Sequence, residues 1–187
     1  MSLKRKPLAQ RRERLRSGQA ARRDGVGRGV QYRSRSWWTI VERMSSPGPV
    51  EKNKALVLKF NEQVFNHHDI DAVERFLAPT HFNHVSGTTG VEDFKQVVHL
   101  VLAVAPDSRS TVDEVVAEGD NVVVFLTWTG THSGEVELAG RKISPTGARF
   151  SVRHVHRYRV VDGLIAEHSA VRDDLGLLIQ LEQAAGS

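Results

Sequence analysis

Three side chains able to move protons stand in one phase of a single stretch. Between Phe150 and Val161, the residues Val152, His154, His156, Tyr158 and Val160 alternate with Ser151, Arg153, Arg157 and Arg159. A period of two is a strand signal and assigns the two sets to opposite faces. Arginines suit water, so the imidazoles and the phenol should look inward among valines. Asp162-Gly163 reads as a hairpin turn, and a second strand from Leu164 to about Val171 leads to the acid pair Asp173-Asp174. Imidazoles, a phenol and a carboxylate gathered by one hairpin are the equipment of general acid–base chemistry.

The rest of the chain must hold that hairpin against something. Leu56, Val57, Phe60, Val64 and Phe65 recur at three- and four-residue spacing, which predicts an amphipathic helix from about Val50 to Asn66. Asp69 is a candidate N-cap for a short helix reaching Leu77, ended by Ala78-Pro79-Thr80. His81 to Val85 reads as a short strand carrying His84. A third helix, Val91 to about Val104, presents Phe94, Val97, Val98, Val101 and Leu102. Strands from Arg109 to Ala117 and from Asn121 to Thr131 flank the turn Glu118-Gly119-Asp120. A connection through His132-Ser133-Gly134, Gly140 and Pro145-Thr146-Gly147 leads to the key hairpin, and Leu175 to Leu181 closes the chain as a helix. Helices first and a four-stranded meander afterwards form an α+β pattern: a curved antiparallel sheet with helices on one face, enclosing a pocket.

Charge divides the chain unevenly. Residues 1–49 hold 13 Lys/Arg against three acids, a net of +10, while the other 138 residues are at −6, giving the overall +4. The folded part therefore offers no electrostatic reason to expect nucleic acid. The basic segment lacks sustained apolar periodicity and is expected to be a disordered tail preceding a domain over 50–187. It fits a polyanion-binding tail, an Arg-rich targeting peptide, or sequence upstream of a start at Met44; Trp37-Trp38 and Ile40-Val41 are its apolar cluster. No apolar run approaches the ~20 residues of a membrane span, and no secretory apolar core follows the basic stretch, so a cytoplasmic protein is expected. With no cysteine, thiolate chemistry and disulfides are excluded.

From about Asn53 to Leu181 an ordered series of short motifs resembles the SnoaL-like polyketide (ester) cyclases of the NTF2-like superfamily. The series runs Phe65-Asn66-His67-His68-Asp69, Phe82-Asn83-His84, Ala117-Glu118-Gly119-Asp120, Gly130-Thr131-His132-Ser133-Gly134 and Pro145-Thr146-Gly147. It closes with Arg159 to His168 and with Asp173-Asp174-Leu175-Gly176-Leu177-Leu178. The chain departs from the family in carrying Ser169 where many members have Trp, and in a longer segment between Gly134 and Pro145.

The resemblance implies a cone-shaped NTF2-like (cystatin-like) fold and a homodimer joined through the open sheet face, which Arg153, Arg157 and Arg159 make basic. It also implies intramolecular aldol-type ring closure of a hydrophobic, oxygenated small molecule, without cofactor or metal. Asp173 matches the family's acid/base position, and His156 would be the second catalytic group. His84, His132 and His154 would orient or bind substrate, with Trp128 and Tyr158 as pocket wall. Each has a plainer role available: Asp173 or Asp174 as helix cap, and the histidines and aromatic residues as packing. Convergence of His84, His132, His154 and His156 on a zinc ion lacks a supporting motif, so no metal is expected. Because the superfamily reuses its cone, a non-catalytic binding module, an isomerase or an epoxide hydrolase are the alternatives.

Overall fold

The computed structural model describes residues 47–186. The expectations for the basic tail, Met44 and the Trp37-Trp38 cluster lie outside the described residues.

Helix α1 (Pro49–Phe60) opens with proline in its first turn, where a missing N–H is harmless. It passes directly into a π-helical turn, Asn61–Asn66. A 3-10 turn (Ile70–Ala72), whose start is capped by the Asp69 side chain, and the single-turn α2 (Val73–Phe76) follow. Strands β1 (Leu77–Asn83) and β2 (Thr88–Thr89) precede α3 (Val91–Val104). Then come β3 (Arg109–Glu118), β4 (Asn121–Thr131), a small hairpin β5 (Val136–Leu138) and β6 (Arg141–Ile143), β7 (Arg149–Val161), β8 (Leu164–Arg172) and α4 (Asp174–Ala185).

The main sheet has six strands in the order β2-β1-β8-β7-β4-β3. Its pairings are antiparallel except that β1 runs parallel to β8. The expected α+β class is what forms, but the four-stranded meander needs correction on two counts. First, β1 begins at Leu77, so Ala78-Pro79-Thr80 belongs to a strand and does not end a helix. Proline is tolerated there because the β1–β8 register breaks between Leu77 and Phe82, where no ladder N–H is demanded. Second, the 134–145 connection is not a loop: it folds into the β5–β6 hairpin, with register Val136↔Ile143 to Leu138↔Arg141.

Two apolar clusters hold the sheet to its helices. The larger centres on Phe60, whose ring meets Phe65, Phe76, Phe94 and Tyr158 at centroid distances of 5.7–5.8 Å. These are edge or tilted contacts of the kind aromatic quadrupoles favour. The second joins the β5–β6 hairpin to α4 and β7 through Leu138, Ile143, Phe150, Leu177, Leu178 and Leu181. The two clusters share Trp128 as a partly buried neighbour.

Candidate active site

The inward phase of β7 survives in three dimensions. Across the central β4–β7–β8 strands, His156 sits opposite Val124 on one side and Ala170 on the other, and His154 opposite Leu126 and Arg172. The two-residue turn Asp162-Gly163, with φ of 50° and 78°, returns the chain into β8.

A feature of β8 escapes simple alternation. With Ile165 buried, period two would turn Glu167 inward as well. Instead the register slips between Arg159 and Val160, pairing Arg159 with Glu167 but Val160 with Ile165. The extra residue is a β-bulge, and it resets the phase so that His168, Ala170 and Arg172 face the interior. Glu167 is left on the outside, gripped by Arg159 (2.9 and 2.6 Å) and by His84 (3.1 Å). Those partners, Arg159 first, hold its carboxyl below the usual range.

Between sheet and helices lies a cavity of about 500 Å³. Its walls are apolar: Phe65, Phe94, Val97, Val101, Leu126, Trp128 and Leu177 all contribute. Leu100 and Val85 line it while staying exposed, and so mark its mouth together with Glu135 and Glu137 from the β5–β6 hairpin. Arg172 and Asp174, paired at 2.9 Å, also border it. The π-helical turn supplies a further polar corner. Five residues apart, Asn61 and Asn66 both donate to the Ser110 carbonyl at 3.2 Å, and the Ser110 N–H donates back to Asn66 Oδ1 at 2.8 Å. A widened turn is what places residues at that spacing on one face.

Along the sheet wall of the cavity runs a row of four polar side chains. Asn83 Oδ1 lies 3.1 Å from His168 Nδ1, His168 Nε2 lies 2.9 Å from His156 Nδ1, and His156 Nε2 lies 3.5 Å from His154 Nδ1. The His156 ring stacks on His168 and Tyr158, at interplanar angles of 19° and 12°. Burial pushes all three imidazoles toward the neutral form: His156 well below its ordinary value, His154 to about 4 and His168 to about 3. Burial likewise raises the Tyr158 phenol, so it keeps its proton and remains a donor.

Of the residues expected from sequence, His154, His156, Tyr158 and Trp128 come together in this cavity. Three do not line it. His84 is at the surface with Glu167. His132 is fully buried elsewhere, its Nδ1 accepting from the Thr146 N–H at 3.2 Å and thereby pinning the 144–148 segment. Asp173 is exposed, and its carboxylate accepts from the Gly176 N–H at 2.8 Å as the N-cap of α4. A Cβ on Gly176 would lie 2.2 Å from that carboxylate, so the cap needs glycine there. The neighbouring Asp174, not Asp173, borders the cavity. His168 and Asn83 are the residues sequence reasoning passed over.

A sheet backed by helices around one apolar cavity with convergent polar groups is the architecture of a small-molecule site. A family model for SnoaL-like polyketide cyclases matches residues 55–181, and the chain belongs to that family. It is 33% identical over 122 residues to nogalonic acid methyl ester cyclase from Streptomyces nogalater, covering 63% of this chain and 88% of that protein. The solved structure of TsrD from Streptomyces laurentii superposes with a TM-score of 0.64 at 27% identity, covering 73% of this chain and 98% of TsrD. A SnoaL-like polyketide cyclase from Agrobacterium tumefaciens, at 16% identity and a TM-score of 0.60 over 69% of this chain and 97% of its own, shares the fold. The NTF2-like cone is thus the fold of this chain.

Proposed function

We propose that the chain is a cyclase of polyketide-like esters that closes a carbocyclic ring by metal-free acid–base chemistry, with His156 as the base. The observation that carries this reading is the placement of His156: inside an apolar cavity, held neutral by burial, and hydrogen-bonded behind by His168. A neutral imidazole can take a proton from the carbon α to a carbonyl. The resulting enolate carbon attacks a second carbonyl in the same molecule, one C–C bond forms, and the new alkoxide recovers the proton from the imidazolium. The balance needs no oxidant or other reactant. A lowered pKa makes His156 a modest base but a strong conjugate acid, which suits the return of the proton. Tyr158, protonated and on the wall, would donate to the developing oxyanion. Trp128, Phe65 and Phe94 would fold the substrate into a reactive shape.

On this reading Asp173 supports α4 and does not touch the reacting atoms, while His84 and His132 act on the frame. The name of the Streptomyces nogalater relative suggests nogalonic acid methyl ester as the first trial substrate, beside other aromatic polyketide methyl esters. Conversion by the full chain and its loss in His156→Gln, with binding retained, would support the proposal. Binding without conversion in either protein would make the chain a binding module; turnover of a steroid or epoxide alone would replace the ring closure by isomerisation or hydrolysis.

The expected homodimer also belongs here. Phe125, Val155 and Val171 form one row across β4, β7 and β8 on the outward face, with Phe125 39% and Val171 76% exposed. An apolar row between Arg153 and Arg157 is suited to a second sheet. Light scattering on the full chain and on Val171→Glu would test it.

A further inference from the structure

We propose that Asn83, acting through His168, sets the order of protons along the histidine row so that His156 presents a bare nitrogen, not an N–H, to the cavity. The inference rests on the cyclase reading for its consequence but not for its geometry. It starts from a backbone amide. The Val85 N–H donates to the Asn83 side chain at 3.0 Å, and a backbone N–H can only donate, so the atom receiving it is the amide oxygen. That settles the amide orientation, which the side chain's shape alone does not.

An amide oxygen can only accept. The His168 Nδ1 facing it at 3.1 Å must therefore carry the proton. A neutral imidazole has one N–H, so His168 Nε2 is bare and accepts from His156 Nδ1 at 2.9 Å. His156 in turn has its lone pair on Nε2. The side-chain nitrogen it faces, His154 Nδ1, is 3.5 Å away, too long for a strong hydrogen bond. The lone pair is left for a substrate proton. When it takes one, the Nδ1–H bond to bare His168 Nε2 becomes charge-assisted and stabilises the imidazolium. With the opposite order, an N–H on His168 Nε2 would force the N–H of His156 onto Nε2, and the cavity would meet a donor where it needs a base. Asn83 is thus a positioning residue: it touches no reacting atom, and it acts by choosing between two tautomers of a neighbour's neighbour.

The test is ¹⁵N NMR of the full chain labelled at histidine, in which protonated and bare ring nitrogens resonate far apart, with His168→Gln and His156→Gln used for assignment. Protons on Nδ1 of both His168 and His156 are expected. Asn83→Leu should move a substantial share of both protons to Nε2 and lower kcat by about 10²-fold, the scale of a lost general base, with KM little changed. Asn83→Asp, which keeps an acceptor in the same place, should restore the wild-type tautomers. If Asn83→Leu does not fold, the wild-type and Asn83→Asp spectra still decide. A proton on Nε2 of His168 in the wild type, or tautomers unmoved in a folded Asn83→Leu, overturns the proposal. Tautomers as stated but no ester converted would leave the proton order supported and sink the cyclase reading instead.

Discussion

His81 offers a perturbation whose size can be worked out from the structure. It is 1% exposed on β1, its ring edge-on to Phe94 at 5.3 Å, and among the described residues neither ring nitrogen finds a hydrogen-bond partner. Burial is the main reason its pKa falls from 6.5 to about 4, opposed by Glu167 and assisted by His84. A lowered histidine pKa means that the unfolded chain binds the proton more tightly. The neutral ring's contribution is therefore complete above pH 6.5 and is lost as pH falls toward 4. At 1.36 kcal/mol per unit the whole difference is about 3 kcal/mol, and about 2 kcal/mol of it is gone by pH 5. Replacing His81 by Leu, which is similar in size, removes the titration and two unsatisfied polar atoms worth about 1–3 kcal/mol. His81→Leu should thus be more stable than wild type at pH 7. The gap should widen by about 2 kcal/mol at pH 5, or roughly 1 M in urea midpoint. Urea unfolding at both pH values, followed by far-UV circular dichroism, checks this. A variant less stable at pH 7 whose gap from wild type does not change with pH would refute the reasoning.

Other outcomes follow from the same geometry. Gly176→Ala should destabilise the domain by about 1 kcal/mol or more through loss of the Asp173 cap, read as a lowered melting temperature, with Asp173→Ala giving a similar loss. Asp173→Asn, which still caps, should keep both stability and turnover within about twofold. Ser110 and Asn66 exchange two hydrogen bonds through the Ser110 backbone and the Asn66 amide. Asn66→Ala should therefore cost about 1–3 kcal/mol and loosen the π-helical turn, seen as faster amide exchange over 61–66. Trp128→Ala should enlarge the cavity that its ring lines and weaken binding of aromatic esters by tenfold or more, measured by calorimetry, while His156 remains competent.

Part of the cavity wall is legible in the sequence. The period of two in β7 puts His154, His156 and Tyr158 on the inward face, where the cavity lies, because one face of that strand is buried and register then follows from patterning. The Asp162-Gly163 turn was readable from chemistry local to two residues. His168 was not, since a single bulge after Ile165 reverses the phase of β8 and no local residue type announces it. Asn83 was not singled out because its strand pairs in parallel with one that lies 85 positions away, a contact that periodicity cannot report. Asp173 shows the opposite difficulty. Aspartate before a helix reads equally well as acid or cap, and only the Gly176 N–H at 2.8 Å shows where its carboxylate is engaged.

Parallel turnover of an aromatic polyketide methyl ester by wild type, His156→Gln and Asp173→Asn tests the central claim most directly. With His156 as the base, ring-closed product is expected from wild type and Asp173→Asn at similar rates, and a fall of about 10²-fold or more in His156→Gln with ester binding intact. Full activity in His156→Gln with loss in Asp173→Asn would overturn that assignment and move the chemistry from the imidazole row to the Asp173 carboxylate.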